Sequence, residues 1–401
     1  MSRSLIWVVL YSLLLFIPLC IQVFAAEDLD QKKQFRFKSI INKQIDSMGP
    51  QRDIVQDDQG FMWFGGENGL ARFDGHTVKS FKHNPDDPNS LSANLVYELL
   101  IDRQGSLWVA TINGLNRYDA ESDIFVQYFN EPHNPDSLGN NNVRSILEYN
   151  DGSLWFGTSN GLSRMDVNTG IFTHIVQPVD GKDSQGGNDV WALVEDEVGA
   201  IWIGSRRGGG GLDQYNPKTN TFIHYRHDPD DPDSLSHDSA QAVYLDHQGE
   251  LWVGTQGGGL NRLNRETGKF VRYQYDQDDP FSISSNIIQD IFEDRHNNLW
   301  VATDGGGLSR FVRSTNHFER YEHHSGNPDS LRSDKVRTFF EDSSGDLWFG
   351  HFPFGVSMLD LYASSFHNFR HNPSDPNSLS NSAILAIEED TERYLWVGTE
   401  Q

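Results

Sequence analysis

One motif recurs along this chain at a spacing that limits the fold more than any other feature. Eight segments align on a tryptophan: "DDQGFMWFGG", "DRQGSLWVAT", "YNDGSLWFGT", "DEVGAIWIGS", "DHQGELWVGT", "DRHNNLWVAT", "DSSGDLWFGH" and "DTERYLWVGT". The tryptophans are Trp63, Trp108, Trp155, Trp202, Trp252, Trp300, Trp348 and Trp396, spaced 45, 47, 47, 50, 48, 48 and 48 residues apart. Repeats of this length point to solenoids or propellers.

Each unit reads as four short strands. The first is apolar, as in "VRSILEY" (143–149) and "VWALVED" (190–196). A turn follows, with Gly three residues before the Trp in six of the eight units, Asn297 in another and Arg393 as the departure. Gly and Asn suit a turn that needs positive φ. The "LWVGT" segment is the second strand. A third, such as "GLNRYD" (114–119) or "GLSRMD" (161–166), and an aromatic alternating fourth, such as "FTHIV" or "FVRYQ", complete the unit. Alternation and β-branched or aromatic content, bounded by Gly, Pro and Asn, are strand signals. No long amphipathic helical pattern appears after residue 45.

Four strands over this length make the blade of an all-β fold, the β-propeller. The Trp is expected to fill the space between neighbouring blades, with a small residue two positions on (Gly65, Ala110, Gly157, Gly204, Gly254, Ala302, Gly350, Gly398) leaving room for it. Phase decides the blade number. The first strand-like piece, "QFRFKSI" (34–40), matches a fourth strand, and the chain stops inside a second strand at "LWVGTEQ". We expect seven four-stranded blades, with 35–40 completing the blade of Trp348 and sparing the sheet an open edge. Residues 27–361 then form the propeller, and 362–401 start a further blade or a second propeller cut short in mid-blade. The alternative is an eight-bladed ring whose last blade lacks its third strand.

The pattern D-x-x-G-x-L-W-[VF]-G-T followed by G-G-G-L-N-R, with "HDPDDPDSLS" as connector, resembles the two-component regulator propeller repeat. "DHQGELWVGTQGGGLNRL" (246–263) and "DRHNNLWVATDGGGLSRF" (294–311) are its best copies, and the resemblance covers about 57–401. It differs from WD40 and kelch, and partly overlaps the structural Asp-box of sialidases. The resemblance implies an extracytoplasmic sensor, the input half of a histidine kinase or diguanylate cyclase receptor, with dimerisation through downstream domains. No kinase phosphoacceptor, ATP box or "GGDEF" follows here. The expectation is therefore an input module that is not an enzyme in this chain. Its rivals are a propeller enzyme acting on glycans and a scaffold that binds proteins at its rims.

At the N-terminus, Arg3 precedes an apolar run from Leu5 to Phe24, ending in "VFAAED". This fits a secretory signal over 1–26 or an uncleaved signal anchor formed by residues 5–24. It implies a periplasmic or otherwise extracytoplasmic location, with membrane contact only through that segment. The one cysteine, Cys20, lies inside it, so no disulfide is expected in the mature chain. The formal net charge of −25, spread along the chain, argues against nucleic acid and anionic membranes as partners.

No cofactor or metal site is read from the sequence. The G-x-G-x-x-G-like run in "GSRRGGGGLDQY" (204–215) lies between strands with no helix behind it, so it is not a phosphate loop. The fifteen His residues are dispersed. Paired carboxylates for acid–base chemistry cannot be picked from 57 acids. The Asp six residues before the Trp (Asp57, Asp102, Asp196, Asp246, Asp294, Asp342, Asp390; Tyr149 breaks the set) recurs too often to be catalytic and reads as a turn cap.

A ligand needs side chains that differ between blades. Eleven residues before each Trp, at the entry of the innermost strand, stand Arg52, Tyr97, Arg144, Trp191, Gln241, Gln289, Arg337 and Leu385. These are expected to ring one mouth of the central channel. Guanidinium forks suit carboxylate or sulfate and aromatic faces suit a pyranose, so the candidate ligand is a small acid or sugar. The competing reading is a channel plugged by water-linked polar side chains. Arg206 and Arg207, in a lengthened turn, are further candidates for an acidic ligand. "HNPDDPNSLS" (83–92) and its kin at 227–236 and 371–380 are Asp-rich, but two prolines break the alternation of oxygen ligands and no Gly-then-Glu follows. They read as connectors between blades, with Leu91, Leu138, Leu235, Ile283, Leu331 and Leu379 pinning them to the core.

Overall fold

The computed structural model describes residues 35–175, 189–206, 210–359, 371, 378–381, 383–390 and 395–399. Among them are seven four-stranded antiparallel sheets and one of two strands. The blade of Trp155 is representative: Val143–Glu148, Leu154–Thr158, Gly161–Asp166 and Ile171–Ile175 pair in chain order. The second strand is buried at every residue, which is why it reads as a continuous apolar run. The fourth is half-exposed and alternates. The only described helix is a single turn, Lys43–Asp46, capped by the Asn42 side chain.

Closure follows the seven-blade phase. Phe37–Ile40 pairs with Val356–Leu359, in the register Phe37↔Leu359 to Ile40↔Val356. It thereby becomes the outermost strand of the sheet built from Val336–Glu341 and Leu347–His351. The innermost strand of that blade also packs beside Gln51–Gln56, the innermost strand of the first, so the ring is continuous. Phe37 is buried edge-on against Tyr321 and Phe349, which locks the joint.

The core lies between blades rather than within one. Trp63 clusters with Val96, Leu99, Leu107 and Tyr118 of the next blade, Trp202 with Leu251 and Val253, and Trp252 with Ile288, Leu299 and Phe311. Trp348 repeats the arrangement across the joint, against Ile54 and Phe64 of the first blade. The repeated Asp does more than cap its turn. Asp246 Oδ1 accepts the Gln248 and Glu250 amides while Oδ2 accepts Trp252 Nε1 at 2.8 Å. Where Tyr149 replaces the Asp, Ser153 Oγ accepts the Trp155 indole at 3.1 Å.

One expectation is corrected. The small residue after the Trp does not mainly make room for the indole. A Cβ on Gly65, Gly204 or Gly254 would strike Val96, Val243 or Ile288, branched side chains on the innermost strand of the next blade. It is the close approach of two blades near the axis that demands a missing side chain.

The connectors close upon themselves. His83 Nδ1 meets the Leu91 carbonyl at 2.7 Å, and His227 and His323 repeat the contact with Leu235 and Leu331. Leu91, Leu138, Leu235, Ile283 and Leu331 are buried, as their pinning role requires. The eighth unit is a hairpin of Ile384–Glu389 and Leu395–Thr399. Its Trp396 keeps the indole bond to Asp390 yet is 68% exposed, against 0% for Trp252. The N-terminal apolar segment lies outside the described residues. Among those described, no helix is long and apolar enough to cross a membrane.

Candidate functional site

The innermost strands share an irregularity that decides what faces the channel. In all seven blades the ladder between first and second strands skips one residue: 52, 97, 144, 191, 241, 289 and 337. These are the positions eleven residues before the Trp. A bulge places two residues of one strand opposite one of its partner and re-aims the side chain at the extra residue. The bulged residue and its successor consequently line the same space.

That space is a cavity of about 290 Å3 on the propeller axis, bordered by all seven bulged residues. Arg52, Tyr97, Arg144, Trp191, Gln241, Gln289 and Arg337 are thus brought together, and Arg206 joins them from its turn. Arg207 lies outside the described residues. Leu385 does not belong to the ring. It sits at the corresponding bulge of the eighth unit and is 72% exposed, because the ring closes without that unit.

The cations are not equivalent. Arg144 is buried and paired with Asp189 at 2.8 Å. Arg52 reaches Glu67 at 2.6 Å, although its Nε is buried without a partner. Arg206 Nε donates to Gln256 Oε1. Arg337 makes no hydrogen bond or ion pair among the described residues and only lies 5.1 Å over the Phe352 ring. Burial, then the positive charge of Arg52, holds its pKa below the usual guanidinium value. The Gln289 amide and Tyr97 hydroxyl are likewise unbonded among the described residues. The aromatic rings are already covered. The guanidinium carbons of Arg144 and Arg206 lie 4.3 and 4.5 Å from the Trp191 ring centre, and Arg52 lies 5.3 Å from that of Tyr97.

A second tier escaped the sequence reading. One residue beyond each bulged position stand Asp53, Glu98, Ser145, Ala192, Ala242, Asp290 and Thr338, and six of these line the cavity. Three are carboxylates. Each accepts a backbone N–H from the following blade: Asp53 from Leu99 at 2.7 Å, Glu98 from Ile146 at 3.2 Å and Asp290 from Phe339 at 3.2 Å. None is ion-paired among the described residues. Burial pushes Asp53 up to about 7 and Asp290 up to about 6, and raises Glu98 well above the usual range, with Asp53 adding to the rise at Glu98. The signal that could have found them is three acids at one position of an inward-facing strand.

The sequence pattern of the two component regulator propeller matches residues 90–113, 137–160, 184–207, 234–257, 282–305, 330–352 and 378–401. The chain carries seven copies of this family's repeat. Each matched segment of this regulator propeller ends at or beside the strand that carries the repeat Trp. Histidine kinase P4 of Formosa agariphila is 39% identical over 82 residues, which is 20% of the propeller chain and 6% of that kinase. Among solved structures, the extracellular domain assigned to a hybrid two component system of B. thetaiotaomicron superposes with a TM-score of 0.73 at 26% identity, over 91% of the chain and 47% of that structure. A second such domain, assigned to a one component system of the same organism, gives 0.63 at 20% identity over 91% and 51%, a likeness of fold. The chain spans about half the length of these solved relatives and a small part of the kinase.

Proposed function

We propose that this propeller is the ligand-sensing input module of an extracytoplasmic receptor of the two-component type, and that its ligand sits in the axial cavity. The observation carrying this reading is the contrast between a framework repeated in every blade and a bulged position that holds four kinds of side chain (Arg, Tyr, Trp and Gln) over the seven blades, all seven collected at one cavity. The extracellular domains it resembles support an extracytoplasmic setting. The output, as kinase or cyclase, belongs to a larger assembly, and coupling through a dimer is part of the same proposal.

The cavity favours an acid over a sugar. Its aromatic faces are occupied by guanidiniums, whereas Arg337, Gln289 and Tyr97 have unused donors. A volume of about 290 Å3 sits at the small end of ligand cavities, so the ligand is small. A thermal-shift screen with small organic acids and with oligosaccharides tests this. Stabilisation by acids that is lost in Arg337→Ala and weakened in Arg144→Ala or Trp191→Ala is expected. Stabilisation by oligosaccharides alone, unchanged in Arg337→Ala, would move the ligand away from the channel.

A further inference from the structure

The axial cavity holds basic and acidic side chains without ion-pair partners among the described residues. One guanidinium, Arg337, forms no ion pair among the described residues, with Asp304 and Glu67 acting on it only at a distance, and three carboxyls, Asp53, Glu98 and Asp290, have no ion pair either. All line the same space, yet Arg337 pairs with none of them. The separation follows from the bulge: Arg337 occupies the bulged tier and the carboxylates the tier after it. The nearby cations cannot neutralise the acids, since Arg144 is held by Asp189, Arg52 by Glu67, and Arg206 is bonded to Gln256.

Leaving a charge enclosed without a partner is costly, and a partner that arrives with the ligand removes that cost for both sides. A purely anionic ligand would satisfy Arg337 but face the carboxylates of the next tier. A purely cationic ligand would meet the opposite difficulty. We infer that the cavity recognises a small zwitterion, its carboxylate on the Arg337 guanidinium with Gln289 beside it, and its ammonium on Asp53 and Glu98. This rests on the proposed axial site and specifies the ligand class within it. Asp290 lies on the same tier and adds to the negative field at Asp53 and Glu98. Asp304, paired with Lys335, and the mouth arginines complete the charged lining. An ammonium arriving here lets the acids ionise, so binding near neutral pH releases protons.

The test is calorimetric titration of the full chain with ω-amino acids from glycine to 6-aminohexanoate. Matched probes are the unsubstituted carboxylates and the primary amines of equal length. One amino acid length should bind at least about tenfold more tightly than its carboxylate, a difference of roughly 1.4 kcal/mol. Its heat should vary with buffer ionisation as protons leave. Asp53→Asn and Glu98→Gln should abolish the advantage while carboxylate binding persists. Arg337→Gln should remove carboxylate binding, and thermal melts verify that each variant is folded. Equal affinity for carboxylate and amino acid would overturn the zwitterion and leave the proposed acid site standing. Binding of none of these probes would overturn both.

Discussion

Two positions eleven residues apart in every repeat obey opposite rules. At one, all units carry Trp, and the seven in the ring are buried between blades and held by hydrogen bonds at the indole nitrogen. At the other, the seven ring blades carry Arg, Tyr, Arg, Trp, Gln, Gln and Arg, gathered round one cavity. The first position answers to the same neighbour each time, the next blade, and has one solution. The second faces the axis, where the seven side chains meet a common space and need not resemble each other. Repetition therefore marks what builds the ring, and variation marks where it can be specific.

The largest effect should come from the repeated position. Trp252→Ala removes a fully buried indole from between two blades and its hydrogen bond to Asp246 Oδ2, which keeps its ion pair with Arg313. A loss of about 3–5 kcal/mol is expected from urea unfolding. The eighth unit supplies the control, since Trp396 has the same sequence context and the same Asp bond but a largely exposed ring. Trp396→Ala should cost within about 0.5 kcal/mol. Equal losses at the two sites would mean that the motif stabilises through its own hairpin, and the explanation from packing between blades would fail.

This contrast also explains what could be read from sequence. The Trp spacing, the phase of 35–40 and the composition of the strands point to seven blades, because each depends on periodicity alone, and the pairing of Phe37–Ile40 with Val356–Leu359 decides against the eight-bladed alternative. The ring of bulged residues was legible for the same reason, as a fixed offset from the Trp. Asp53, Glu98 and Asp290 were not. In a regular strand the residue after an inward side chain points outward, so these acids fall on the wrong face. A bulge overrides that alternation, and it is a property of the ladder between two strands rather than of either sequence. The same applies to Gly65 and Gly254. Their need for a missing Cβ was visible, but the neighbour responsible, Val96 or Ile288, lies in the next blade.

The second tier yields an intermediate effect with a definite sign. Asp53 and Asp290 keep their protons to about pH 7 and about pH 6 when folded, whereas unfolded carboxylates lose theirs near pH 4. As pH rises from about 4 to 7 the folded state therefore binds more protons than the unfolded, and stability falls across that window. Asp290→Asn has no charge to acquire. Its urea midpoint should drop less than that of the parent chain between pH 5 and pH 8. A parallel drop in both would mean that the channel carboxylates ionise freely and do not carry the predicted penalty.

The smallest effect on folding should come from the varied position itself. Arg337 contributes no hydrogen bond or ion pair among the described residues, is partly buried, and lies in the field of Arg52. Its removal takes away a cation–ring contact but also a like-charge repulsion, and these contributions oppose one another. Arg337→Ala should therefore shift unfolding by no more than about 0.5 kcal/mol in either direction, as for substitutions that break no packed contact. Arg144→Ala is the sharper comparison on the same ring. It takes the cation away from the buried Asp189 carboxylate, which keeps the Trp191 indole bond, and should cost several-fold more. If Arg337→Ala proved as damaging as Arg144→Ala, the guanidinium would be part of the framework, and the division between repeated structure and variable site would not hold at the one residue best placed to meet a ligand.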